Sequence, residues 1–304
     1  MLTQFLKNMK SRKIFGTPRW CWYFCYYRII VDKKQDFLKD SLFLYPQKPA
    51  MALWRASELA KANSVIQKIE IKGPSIDIGC GDGEIAKILF KDKTFDIGLD
   101  ISYLEVDKAK KSEKYVRTIV SDIYDNRLEN EFFGFVFSNS VIEHLEFLEK
   151  GLKEIARITE KGGLFVLTVP ADGIVRNTFL YKTLQNTRFK KLAVRYGEKR
   201  NHRLGHFLAR SAEDWKKALE NQDFKVTSEM SYLSPETTRV WDVLSYFDFL
   251  LRATFLDRII MKFPKAVKNV LAEFWLLFLK KVYEKETLKN FDDGSCLLIT
   301  AEKV

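Results

Sequence analysis

Asp77-Ile78-Gly79-Cys80-Gly81-Asp82-Gly83-Glu84 is the stretch that decides the fold of this 304-residue chain. Just before it, Ser75–Gly79 is a short apolar run that reads as a strand, and Glu84–Phe90 resumes with helical spacing. Glycines at a strand-to-helix turn admit positive φ and let a ligand come close to the main chain. The bare N–H groups at the start of the next helix favour a carboxylate or phosphate. Three ligand classes use such a turn, and spacing separates them. The dinucleotide pattern G-x-G-x-x-G needs a glycine at 84, where Glu84 stands. A Walker phosphate loop needs Gly-Lys-Ser/Thr at its end, and that is missing. What remains is an acid two residues ahead of an alternating G-x-G-x-G.

Working outward, short apolar runs alternate with helical stretches. Phe95–Leu99, Val116–Ser121, Phe133–Ser138 and Leu164–Val169 read as further strands, and Glu105–Lys111 and Glu146–Thr159 as helices between them. Such alternation predicts an α/β domain whose parallel sheet is wrapped on both faces. Lys225–Tyr232 and Ser295–Ala301 are two more strand candidates, the first preceded by a helix over Ala212–Asn221. Upstream, Leu59, Ala62, Ile66 and Ile69 predict a helix from Pro49 that Gly73-Pro74 ends. Residues 233–292 are too many for a hairpin between the last strands. Within them Val240–Phe263 is apolar around most of a helix, Val267, Val270, Leu271, Phe274, Trp275 and Phe278 form a helical stripe, and Pro264 divides the two. A helical pair inserted into the sheet domain is the expectation.

The glycine turn with its context resembles the first motif of the class I S-adenosylmethionine-dependent methyltransferases. Asp100 closes the second strand 21 residues after Gly79, within Gly98-Leu99-Asp100-Ile101-Ser102, and Ser121-Asp122-Ile123 follows the third. The fourth leads into Ser138-Asn139-Ser140-Val141-Ile142-Glu143-His144-Leu145. Then come Glu154-Ile155-Ala156-Arg157, Lys161-Gly162-Gly163 and a strand ending Thr168-Val169-Pro170. That order is similar to the subgroup holding ubiquinone-biosynthesis and related small-molecule enzymes. The likeness spans about 73–170, resumes weakly over 206–232, and is lacking over 1–48 and 233–292. It implies a Rossmann-like, doubly wound, seven-stranded, mostly parallel sheet with an antiparallel last strand and helical insertions. It also implies S-adenosyl-L-methionine as cofactor, bound by Asp77, Gly79, Cys80, Gly81, Gly83, Asp100, Ile101, Asp122, Ile123 and Asn139. Asp100 would accept the ribose hydroxyls, Asp122 the adenine amino group, and an apolar neighbour would lie against the ring.

Methyl transfer from a sulfonium needs an aligned acceptor in a water-poor pocket, and a base only where the acceptor must lose a proton. His144, just after the fourth strand, is the base candidate; the alternative is that Glu143-His144 braces the next helix. No metal is expected. Ubiquinone-type O-methyltransferases resembling this stretch carry an acid where Ser140 stands, which leaves too few hard ligands here. His202 and His206 are further candidates to line an acceptor pocket, and Cys80 reads as a packing residue.

The formal net charge of +11 is unevenly spread. Residues 1–70 hold 13 Lys/Arg against 5 Asp/Glu and residues 175–210 hold 10 against 1, whereas residues 71–170 hold 14 against 18. The expected organisation is a basic aromatic arm over 1–48 and a methyltransferase domain over 49–304, with a basic insertion at 171–210 and an apolar helical insertion at 233–292. The arm places Trp20, Trp22, Tyr23, Phe24, Tyr26 and Tyr27 among lysines and arginines, a composition of interfacial anchors and of single-strand nucleic-acid platforms alike. Residues 1–34 and 175–210 are therefore expected to meet an anionic membrane surface. The expected acceptor is a small-molecule, lipid or lipid-linked compound, methylated on oxygen. The alternatives are a tRNA or RNA methyltransferase and a non-catalytic cofactor-binding scaffold. Nucleic-acid base methylation is disfavoured because Ser138-Asn139-Ser140-Val141 replaces the Asn/Asp-Pro-Pro-Tyr/Phe stretch of the amino-methylating enzymes. Four scattered cysteines (Cys21, Cys25, Cys80, Cys296), no clean leader and no apolar run near ~20 residues point to a cytoplasmic protein, peripheral on a membrane at most.

Overall fold

A computed structural model describes residues 35–204, 210–288 and 291–304. The chain divides into two units between Asp36 and Phe37, and the second, Phe37–Val304, is compact. The expectations for residues 1–34 therefore lie outside the described residues, as does that for His206. Residues 37–44, placed above in the arm, form a helix of the second unit. Its Phe37, Leu38 and Leu42 are buried in the core with Leu53 and Leu59, which moves the boundary to 36/37.

Helices α1 (Phe37–Leu44) and α2 (Pro49–Ile66) precede the alternating part: β1 (Ser75–Ile78), α3 (Glu84–Leu89), β2 (Phe95–Asp100), α4 (Tyr103–Lys110), β3 (Tyr115–Val120), β4 (Phe133–Asn139), α5 (Leu148–Ile158) and β5 (Thr159–Pro170). Three helices follow, α6 (Gly173–Arg176), α7 (Phe179–Leu184) and α8 (Lys190–Leu204), then α9 (Ala212–Glu220) and β6 (Phe224–Tyr232). The chain closes with α10 (Pro235–Ala253), α11 (Leu256–Lys262), α12 (Lys265–Leu288) and β7 (Cys296–Lys303). The seven strands lie in the order β3-β2-β1-β4-β5-β7-β6, all parallel except β7, which runs antiparallel to both neighbours. This is the expected Rossmann-like architecture. The strand order reverses between β1 and β4, so the crevice beyond their carboxyl ends is where such a sheet binds ligands.

Alternation along β4 shows why both faces are covered. All seven of its residues are buried; Phe135 and Phe137 join one core cluster, Phe133 and Val136 the other. The first cluster gathers α1, α2, α3, α10 and α12, and the second gathers α5 and α9. Burying a side chain of Phe137's size contributes about 2 kcal/mol. Helix α9 starts at a reciprocal capping box of Ser211 and Asp214, and its Trp215 indole N–H donates to the Pro170 carbonyl at 2.9 Å.

Two insertions differ from expectation in detail. The basic segment folds as α6–α8 and is tied to α10 by a buried ion pair. Arg200 and Asp242 are 2.9 Å apart, with side chains 3% and 2% exposed. Arg200 also stacks 4.5 Å over the Trp241 ring and Tyr196 donates to Asp242 at 2.8 Å. Lys182, Arg188, Lys190, Lys191, Arg195 and Lys199 are exposed. The apolar insertion holds three helices rather than two. Pro264 does separate the last pair, but the expected helix over 240–263 breaks at Phe255, whose φ is +58°. A bulky residue in that region is uncommon, so composition gave no sign of the break.

Candidate functional site

The end of β1 is stitched to its neighbours by main-chain and carboxylate bonds. Gly79 and Cys80 donate their N–H groups to the Leu99 carbonyl at 2.7 and 3.0 Å. Gly81 N–H donates to Asp100 Oδ2 at 3.0 Å and Ser102 N–H to Asp100 Oδ1 at 2.8 Å. Ser121 N–H then donates to the Asp100 carbonyl at 3.0 Å, and Asp122 Oδ1 accepts the Tyr124 N–H at 3.0 Å. The structure thus brings Gly79, Gly81 and Asp100 together, with Ile101 and Asp122 following β2 and β3 at the same edge of the parallel sheet. Each Asp100 oxygen keeps a further acceptor position, because a carboxylate has about four.

Two glycines there are required for different reasons. At Gly79, φ is +74° and a Cβ would lie 2.3 Å from Val141, so the turn and the loop after β4 pack too closely for any side chain. At Gly81, φ is +53° and a Cβ would meet nothing within 4 Å. The main chain at Gly81 therefore borders open space, the cradle a ligand needs. Gly83 is the left-handed residue immediately before α3.

Other expected site residues are placed differently. Asp77 is buried and its Oδ2 accepts the Tyr115 hydroxyl at 2.7 Å. Burial pushes its pKa up to about 7; the Tyr115 bond opposes the rise, and the Asp100 charge adds to it. Cys80 is 6% exposed and burial pushes its thiol up, so it packs rather than reacts. Ile123 is 6% exposed and belongs to the core, whereas Ile101 is 70% exposed. Of the two, Ile101, just past the end of β2, is the exposed apolar residue. Asn139 is turned to Glu58, donating Nδ2 to Oε2 at 3.1 Å. His202 is exposed on α8.

The Asp77 shift gives a pH test. In the unfolded chain Asp77 ionises near 3.8 and in the folded protein near 7. The stability it contributes is complete below the lower value and is lost as pH rises through the upper one. Asp77→Asn keeps an acceptor for Tyr115 and cannot ionise. It should gain stability over the parent as pH goes from about 5 to about 8, read from urea midpoints at each pH. A difference that stays flat across that range would exclude the buried-proton account.

The loop after β4 also faces a second space. A cavity of about 230 Å³ is lined by Ala50, Met51, Trp54 and Arg55 of α2, by Ser140, Glu143 and His144, and by Trp241, Ser245 and Asp248 of α10. Trp54 and Trp241 are in ring contact, 5.1 Å between centroids. His144 is half-exposed, with Nε2 4.0 Å from Glu143 Oε1. Burial pushes Glu143 up to about 8 and Asp248 to about 7. Arg55 Nε, Glu143 Oε2 and Asp248 Oδ1 are buried atoms without a hydrogen-bond partner among the described residues. Val141 against Gly79, beside Ser140 and His144, makes this loop common to both spaces.

Sequence reasoning missed the centre of this arrangement, Glu58. Its carboxylate is fully buried and accepts from Arg55 Nη1 at 2.5 Å, Ser140 Oγ at 2.6 Å, Thr168 Oγ1 at 2.9 Å, Tyr232 OH at 3.0 Å and Asn139 Nδ2. Burial works against its charge, but the Arg55 guanidinium and these donors hold it below the usual carboxylate range. One signal was available: Arg55 and Glu58 sit one turn apart on a helix otherwise lined with Ala and Leu.

Residues 76–167 match the methyltransferase domain family. Over 137 residues the chain is 31% identical to MJ1123 of Methanocaldococcus jannaschii, spanning 42% of this chain and 62% of that protein. It is 27% identical over 101 residues to the malonyl-[acyl-carrier protein] O-methyltransferase of Hamiltonella defensa, across 33% of this chain and 39% of that one. The chain thus spans less than two-thirds of the length of these relatives. A solved structure of a SAM-dependent methyltransferase from Thermotoga maritima superposes with a TM-score of 0.50 at 15% identity, covering 87% of this chain and 94% of that one. That likeness establishes the shared fold.

Proposed function

With residues 76–167 a methyltransferase domain on the class I, S-adenosylmethionine-dependent fold, we propose that the protein transfers a methyl group to an oxygen of a small-molecule, lipid or lipid-linked acceptor. The observation that carries this is the open space at Gly81, edged by Asp100 with acceptor positions to spare. Asp100 would hold the ribose hydroxyls of S-adenosyl-L-methionine, Asp122 its adenine amino group, and Ile101 would offer the apolar contact. Bound there, the cofactor supplies a methyl group already activated on a sulfonium.

The rest is the work of this chain's own side chains. The loop from Ser140 to His144 joins the crevice to the cavity, so an acceptor seated on Trp54 and Trp241 lies where that loop can orient it. Arg55 Nε, Glu143 Oε2 and Asp248 Oδ1 have no hydrogen-bond partner among the described residues and would recover hydrogen bonds from a polar acceptor head. Glu143, carrying its proton near neutrality, can donate rather than repel an oxygen. His144, which lines the cavity, would take the hydroxyl proton as the new carbon–oxygen bond forms.

Incubation with methyl-labelled S-adenosylmethionine and separate lipid, small-molecule, glycan and RNA fractions is expected to label the lipid or small-molecule fraction. Label entering RNA alone would replace the acceptor class, and no label together with no calorimetric cofactor binding would end the enzyme reading. His144→Ala should then lower turnover by about 10²- to 10⁴-fold, with cofactor affinity and melting temperature unchanged. A fallen melting temperature with normal turnover would make His144 a brace.

A further inference from the structure

Helix α12 is apolar on two sides, and among the described residues only one is covered. Ala272 and Leu279 are buried in the core with residues of α1 and α2. On the opposite side Val267, Val270, Phe274, Leu277 and Phe278 recur at three- and four-residue spacing and are 47% to 80% exposed. Just upstream, every residue from Arg252 to Val267 is exposed except Asp257 and Ile260. That stretch nevertheless carries Phe255 at 59%, Ile259 at 49% and Phe263 at 44% exposure. An apolar surface this continuous marks an interaction site.

Charge indicates what covers it. Between 252 and 268 stand Arg252, Arg258, Lys262, Lys265 and Lys268 against one acid, Asp257, a net charge of +4. A second copy laid on the same face would set that charge against itself. An anionic lipid surface neutralises it, and the headgroup boundary accepts aromatic and aliphatic side chains beside basic ones. No described helix is long and apolar enough to cross a membrane, so the helices would lie on the surface. We propose that α11 and the outer side of α12 dock the protein onto an anionic bilayer.

Vesicle sedimentation of the full chain tests this, comparing phosphatidylcholine with phosphatidylcholine containing about one-third phosphatidylglycerol. Binding to the anionic vesicles should be at least about tenfold tighter and should weaken about fivefold for each of Lys262→Gln and Lys265→Gln. The triple variant Phe255→Asn/Ile259→Ser/Phe263→Ser should bind at least about tenfold more weakly. Asn suits the left-handed backbone at 255, and all three side chains are exposed, so the fold should survive, as circular dichroism would report. No binding, no preference for anionic lipid, or unchanged binding by the triple variant overturns the proposal. So does a wild-type dimer that the triple variant splits while neither form binds vesicles.

Discussion

Glu58→Ala is expected to lower folding stability by about 4 kcal/mol, the cost of breaking a buried ion pair from one side. The change strands the Arg55 guanidinium and removes the common acceptor of Ser140, Thr168 and Tyr232, which come from the β4 loop, β5 and β6. Replacing both partners by apolar residues, Arg55→Met/Glu58→Leu, should cost less than the single change, because no charge is left buried. It should not reach parity, since each orphaned hydroxyl costs about 1 kcal/mol or more. Urea denaturation of the parent, Arg55→Met, Glu58→Leu and the double gives the coupling energy directly. A loss below about 1 kcal/mol for Glu58→Ala would mean that the hub is ornamental.

The same residue fixes the acid limb of the stability curve. Its folded pKa lies below the ordinary 4.5, so its contribution is present above that value and is lost as pH falls through the folded one. Asp77 and Glu143 act in the reverse direction, their contributions fading as pH rises through about 7 and about 8. Taken together, these three groups favour the ordinary carboxylate range near pH 4.5 over neutrality.

Why the sequence disclosed one half of the site and hid the other follows from range. The crevice is local: strand, glycines and helix are contiguous, and Asp100 reaches Gly81 across 19 residues between adjacent strands. Period-two runs and turn residues record such arrangements directly. Glu58 gathers partners 82, 110 and 174 residues away, and no spacing rule encodes a meeting made by tertiary packing. Ile123 and Asn139 were expected at the crevice by their order in the chain. Their side chains turn to the core and to Glu58, a choice made by neighbours on other elements. The break at Phe255 was hidden for another reason: an apolar residue in a left-handed conformation looks, in sequence, like helix.

Gly81→Val should abolish measurable cofactor binding, a loss of at least about 100-fold, while leaving the protein folded. The fold itself does not forbid the side chain, since a Cβ at 81 meets no atom within 4 Å. The cost to stability is that of the left-handed backbone, about 1 to 2 kcal/mol. The N–H of the new residue can still bind Asp100, so the crevice keeps its framework. The isopropyl group then occupies the very space the ligand needs. Gly79→Ala is the contrasting control: its Cβ would strike Val141 at 2.3 Å, so it should unfold or distort the loop after β4 rather than merely block binding. Calorimetry with S-adenosylmethionine and S-adenosylhomocysteine, paired with thermal melts, separates the two outcomes. Normal affinity in Gly81→Val would place the nucleoside elsewhere, and the open space at residue 81 would then have no part in binding.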